Sequence, residues 1–175
     1  MGMLKPQDIV ILIKLVLESG QPWSYNQLAY ELRMSASEVH KGIGRAEHAG
    51  LFSRQLRRPH RRALDEFLLH GVKYAFAPDL GPVTRGIPTA FSAPVVRNEL
   101  SAVEGEMDVY VWPYPEGEVR GIGLSPLYKS VPEATVSDAD LYKVLALVDA
   151  IRIGRVREKS LAERLLLEML DRATA

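Results

Sequence analysis

The run Arg54-Gln55-Leu56-Arg57-Arg58-Pro59-His60-Arg61-Arg62 places five arginines within nine residues, a density of fixed positive charge suited to phosphate oxygens. Each guanidinium presents a planar fork of donors that matches two anionic oxygens at once. Five such contacts would make affinity for a polyanion steeply salt-dependent. The competing reading of the run is a solvated charged face at a helix start, where positive charge opposes the helix dipole.

Other chemistries find no support. The histidines His40, His48, His60 and His70 lack the i, i+4 pair with an acidic partner that a zinc protease needs, and the His40 to His48 spacing has no third ligand nearby. The chain contains no cysteine, which removes thiolate zinc sites, a thiol nucleophile and a disulfide scaffold. Gly121-Ile122-Gly123 is not completed by a third glycine and a helix, and neither a phosphate-binding P-loop nor a G-x-S-x-G elbow occurs. No catalysis, metal or cofactor is expected.

The 175 residues carry 22 Lys+Arg against 22 Asp+Glu, a balance that argues at first against a nucleic-acid partner. The charges are unevenly placed. Residues 1–62 hold ten basic and five acidic side chains, which leaves 12 basic and 17 acidic for the remainder. Such an asymmetry fits a chain whose one end meets a polyanion and whose other end meets something else. At 47% hydrophobic the chain has ample material for a core. The most apolar run, Ile9 to Leu17, is interrupted by Lys14 and falls short of the roughly 20 residues of a membrane span. It also continues directly into patterned sequence, unlike a cleaved leader. No membrane partner is expected, and cytoplasmic residence is.

The elements that must position these residues follow from periodicity. Lys5 to Ser19 reads as a helix, with Pro6 in the first turn, Ile9, Leu12, Ile13, Val16 and Leu17 inward, and Gly20 and Pro22 as its stop. Ser24 with Gln27, and Ser35 with Glu38, are two capping boxes opening a second helix (Leu28, Ala29 and Leu32 inward) and a third (Val39, Ile43 and Ala46 inward). Gly50 ends the third. The turn Arg33-Met34 is too short for antiparallel neighbours, so the two helices cross steeply as a helix-turn-helix. Leu51 to Leu56 allows a short strand, and Pro59 opens a further amphipathic helix through Leu64, Phe67, Leu68, Val72 and Ala75, weakened at Gly71.

The pattern Leu28-Ala29-x-x-Leu32-x-x-Ser35, then Val39, Ile43 and Gly50-Leu51-Phe52, resembles the helix-turn-helix core of bacterial winged-helix transcription regulators, most closely the MarR-like group, over the first third of the chain. The resemblance implies sequence-specific binding of double-stranded DNA as a dimer, with the third helix in the major groove. Its outward strip is then Ser37, Lys41, Arg45 and His48, with His40 on the shoulder. Lys41 or Arg45 would reach guanine O6 and N7, Ser37 or His40 a base edge or phosphate, and the Ser35 cap leaves a helix end that favours an anion. Arg54, Arg57, Arg58, Arg61 and Arg62 fall where the wing belongs. Only about ten residues separate Phe52 from the next helix, so the wing is short or absent and these arginines track the backbone. Gly42 and Gly44 suggest a close approach, to protein or to DNA. Alternatively the strip is a solvated face, and the helix-turn-helix serves a protein-interaction or antitoxin-like module.

The expected fold is α+β and mostly helical. Residues 1–76 form the DNA-binding unit with its following helix, and residues 77–175 form an α+β region for dimerisation or sensing. Ala77 to Ala102, rich in Pro and Gly, is read as a non-regular loop or short strand pair and as the junction. Within it, Arg85 offers a clamp for a small anionic effector or a protein partner, with Thr84, Thr89 and Ser92 as auxiliary donors. A connector whose hydroxyls satisfy their own backbone is the preferred reading. Met107 to Trp112 and Glu118 to Leu124 read as a β-hairpin turning at Pro115-Glu116-Gly117, with Gly117 at positive φ. Tyr110, Trp112, Tyr114 and Tyr128 line either an effector pocket or, more commonly, a small core around Trp112. Asp138 to Ile153 and Glu158 to Arg172 read as helices, and Leu161, Leu165 and Met169 on the last leave an apolar face for a homodimer.

Overall fold

A computed structural model describes residues 2–100 and 108–175. The architecture is α+β and mostly helical. Helix α1 (Pro6–Leu17) enters with Pro6 at its first position and Asp8 accepting the Lys5 amide at 2.8 Å. Every residue from Asp8 to Val16 is buried, so α1 is a central helix rather than an amphipathic surface one. It packs on α3 (Ala36–His48), on α8 (Ala139–Ile153) and on α9 (Val156–Thr174). Helix α8 is likewise buried on all sides from Val144 to Arg152. One continuous apolar cluster therefore runs from Ile9 through Ile43 and Leu64 to Trp112, Leu147 and Leu166.

Helix α2 (Tyr25–Leu32) ends at Arg33 in the left-handed conformation, φ 56°, and Ser35 opens α3 three residues after Leu32. At Ser35 both halves of the capping box form: Ser35 Oγ accepts the Glu38 amide at 3.1 Å and Glu38 accepts the Ser35 amide at 2.8 Å. At Ser24 only half forms. Its hydroxyl accepts the Gln27 amide, but the Gln27 side chain is turned to donate its Nε2 to Glu31 at 3.0 Å, and its oxygen does not accept the Ser24 amide.

After α3 come two two-residue strands, β1 (Phe52–Ser53) and β2 (Arg58–Pro59), paired antiparallel with Phe52 opposite Pro59. Pro59 belongs to β2, and the next helix starts two residues later as α4 (Arg61–Glu66). It runs through a π turn (Phe67–Gly71) into α5 (Val72–Ala75).

The Pro- and Gly-rich segment departs most from the sequence expectation. It holds β3 (Leu80–Pro88), the longest strand described, then a 3₁₀ turn (Ala90–Ser92) and α6 (Pro94–Arg97). Ser101 and Ala102, assigned to that segment, and Met107, assigned to the hairpin, lie outside the described residues. The expected hairpin is not one. Strands β4 (Tyr110–Pro113) and β5 (Val119–Leu124) run parallel, Tyr110 opposite Ile122, and β3 pairs antiparallel with both. The three strands close on themselves. Gly86 is the point where β3 passes from β5 to β4, facing both Pro113 and Val119; a Cβ there would lie 1.9 Å from the Trp112 carbonyl oxygen. Gly117 packs on the Gly86 backbone and is not among the residues at positive φ, so contact rather than turn conformation requires it. Helix α7 (Val131–Val136), absent from the sequence reading, precedes α8.

Candidate nucleic-acid interface

Helix α3 presents Ser37, His40, Lys41 and His48 to solvent and buries Val39, Gly42, Ile43, Gly44 and Ala46. Four of the five expected outward residues are therefore accessible on one helix. The fifth, Arg45, is not. Its Nε and Nη2 donate to Asp8 at 2.8 and 2.7 Å, and Asp8 is 0% exposed. A carboxylate buried on α1 demands a cation, and Arg45 supplies a bidentate one. Gly42 makes this possible: a Cβ on it would meet Ile11 Cδ1 at 2.7 Å and Asp8 Oδ1 at 2.9 Å, so the bare backbone brings α3 close to α1. The close approach expected of Gly42 is thus to protein.

The hairpin arginines also divide. Arg54 pairs with Glu47 of α3 at 2.8 Å, and Arg61 with Asp65 at 2.7 Å and Asp171 at 2.9 Å, so both are committed inside the molecule. Arg57 lies at the hairpin tip in the left-handed region, φ 51°, with its guanidinium 4.3 Å from the Trp23 ring centre. Trp23 Nε1 donates to the Arg57 carbonyl at 2.9 Å, and Arg57 Nη2 returns a bond to the Trp23 carbonyl at 3.2 Å. This reciprocal latch fixes the hairpin to the loop before α2. Arg58 and Arg62 remain exposed and form no ion pair among the described residues. Between the latch and the end of α9 lies a cleft of about 920 Å³, with Leu15 and Val16 at its apolar side and Arg57, Arg58 and Arg61 among the cations that line it.

Two residues from the C-terminal half reach the helix-turn-helix, which no local signal in the sequence announces. Tyr128 donates its hydroxyl to Glu38, and Ser130 Oγ donates to the Leu32 carbonyl at 2.7 Å. The Tyr128 and Ser35 donors hold the Glu38 carboxyl below the usual carboxylate range, while Glu38 pushes the Tyr128 phenol up to about 12. Lys14 of α1 forms a second bridge, at 2.8 Å to Glu18, 3.1 Å to Glu31 and 2.7 Å to Asp138, the residue that caps α8. Burial works against its ammonium, but the three carboxylates raise it above the ordinary lysine value.

The proposed effector clamp is dispersed. Thr84 and Arg85 stand on β3, Thr89 is buried and donates to Asp149 at 2.7 Å, and Ser92 Oγ accepts the Tyr110 amide at 2.8 Å. Asp149 also accepts Trp112 Nε1 at 2.6 Å and Arg152 Nη1 at 2.7 Å, a satisfied network that ties the closed sheet to α8. Tyr110 and Trp112 are core residues as the plainer reading had it, whereas Tyr128 belongs to the α3 contact. On α9, Ala162, Leu166 and Leu170 face the core, and Leu161, Leu165 and Met169 are only half-buried. Among the described residues no group of acidic and histidine side chains has a metal-binding arrangement, and no helix is long and apolar enough to cross a membrane. No family model matches this chain, and neither a curated protein nor a solved structure matches it.

Proposed function

We propose that the chain is a sequence-specific regulator of transcription that binds double-stranded DNA as a dimer, through a winged helix-turn-helix whose wing is the short β1–β2 hairpin. The observation that carries this reading is the solvent face of α3: Ser37, His40 and Lys41 exposed together just beyond a fully formed capping box at Ser35. Lys41 is the donor for guanine O6 and N7, and Ser37 and His40 reach a neighbouring base edge or phosphate. His48 stands at the far end of the same helix, over the flanking backbone. Arg58 and Arg62 supply phosphate contacts beside the hairpin. The half-buried Leu161, Leu165 and Met169 on α9 offer an apolar stripe to a second copy, which would bring two α3 helices to symmetric half-sites.

The test is selection of duplexes from a random pool, followed by affinity against salt. Lys41→Ala is expected to erase the preference for selected over scrambled duplex. Arg58→Ala and Arg62→Ala are each expected to weaken both and to lower the salt slope by about one. No duplex binding by the full chain at about 50 mM salt would overturn the proposal.

A second reading, a protein-interaction module, draws support from Tyr128 and Ser130, which tie the α2–α3 corner to the C-terminal half. It predicts a partner that binds equally well to the Lys41→Ala variant.

A further inference from the structure

We propose that the outer face of β3 and β5 around Arg85 and Arg120 is a docking site for an extended, acidic segment of a partner protein. The two arginines are opposite one another in the β3–β5 register, and both side chains are exposed. Like charges directly across a sheet destabilise it, so the fold bears a cost that a pair of opposite charges at these positions would avoid. Among the described residues neither arginine forms an ion pair; Glu118, exposed two residues before Arg120, makes none with either. Two residues along β3, on the same face by the two-residue period, Val83 is 60% exposed, opposite Ile122. Leu80, at the start of the strand, is 57% exposed.

The backbone adds a template. On β3 only Gly86 to Pro88 pair with β4, and the Arg85 carbonyl accepts the Tyr114 amide at 3.1 Å, so the edge from Leu80 to Thr84 opposite β5 carries no strand among the described residues. An incoming strand with an acidic residue and, two positions along, a β-branched one would place a carboxylate at the guanidiniums and, on the same face, an apolar side chain at Val83. Charge favours such a segment over nucleic acid: residues 63–175 carry 12 basic against 17 acidic side chains, which repels a long polyanion while leaving the local pair attractive to a short acidic one. This inference stands apart from DNA binding at α3.

The experiment uses the full chain, with labelled synthetic peptides of strand length in which Asp or Glu is followed two residues on by Val or Ile, so that both project from one face. Matched sets carry Asn and Gln, or Lys, in place of the acids, and a duplex and a single-stranded oligonucleotide serve as comparison. Acidic peptides are expected to bind about tenfold more tightly than their amide counterparts, and R85E/R120E is expected to invert the preference towards the Lys set. The single R85E change creates an opposite-charge pair with Arg120, so its melting temperature should hold or rise while acidic-peptide binding falls, which separates docking from folding. Equal binding of acidic and amide peptides would overturn the proposal, as would an acidic preference that survives in R85E/R120E. Oligonucleotide binding that falls in R85E/R120E, with no peptide preference to lose, would assign the arginines to nucleic acid instead.

Discussion

Asp8 and Arg45 form a buried ion pair whose two halves are unequal to remove. Taking away Arg45 leaves a buried carboxylate with only the Lys5 amide as its partner, which costs about 3–5 kcal/mol. Arg45→Ala is therefore expected to lower the urea midpoint sharply, whereas Lys41→Ala, four residues earlier on the exposed side, should change stability by no more than about 0.5 kcal/mol. Urea denaturation of both variants separates the two roles, and any loss of the proposed DNA binding in Arg45→Ala would then reflect folding. In the sequence these residues look alike, both basic and both outside the Val39, Ile43, Ala46 stripe. Asp8 lies 37 residues away, and nothing local marks it as the acceptor. Pair formation across that distance is a tertiary fact, legible only once α1 is known to bury its whole surface.

Among the elements, those stabilised by their own neighbours were readable. The Ser35 box joins side chains three residues apart, and Ser35→Ala is expected to cost about 1 kcal/mol in thermal or urea denaturation. Gly42→Ala should cost about 1–3 kcal/mol by the same measurement, because the new methyl must displace Ile11 and Asp8 in a close-packed core. The β1–β2 hairpin has only two residues per strand, too few to hold its shape alone. Its order comes from Trp23 and Arg57, so Trp23→Ala is expected to raise amide exchange across residues 53–58 while the exchange of α3 stays slow. Strand β3 is longer than the loop or short strand pair the sequence suggests, because its cues are those of a loop: two prolines and two glycines in nine residues. What makes it a strand is a pair of distant partners and a backbone approach at Gly86 that only glycine permits.

At the scale of the whole molecule, Lys14 joins α1 to Glu31 of α2 and to the cap of α8, so the two halves share one electrostatic joint. Two of its three carboxylate partners are shifted in opposite directions. Burial opposes ionisation of Glu31, yet the Gln27 amide and Lys14 hold its carboxyl below the ordinary range; burial pushes that of Glu18 above it. A depressed carboxyl contributes stability above the unfolded value of about pH 4.3 and loses it as pH falls through the folded value. A raised one binds its proton earlier in the folded state and so gains relative stability as pH falls. Thermal melts between neutral and acid pH are therefore expected to show a shallower acid loss in Glu31→Gln and a steeper one in Glu18→Gln.

The π turn from Phe67 to Gly71 sets a phase. A π turn holds one residue more than the α-helical turn it replaces, and each residue of an α-helix advances the chain by about 100°. That extra residue brings Val72 round to the core side, where it is fully buried, with Phe67 packed where a Cβ on Gly71 would be. The chain from Leu64 to the start of β3 thus depends on a count rather than on any one side chain. Deleting Gly71 would remove the extra residue together with the turn that absorbs it, so Val72 and the chain leading to β3 are expected to keep their phase, whereas one residue added to the regular turn of α4 would rotate them by about 100°, aiming Val72 away from its neighbours.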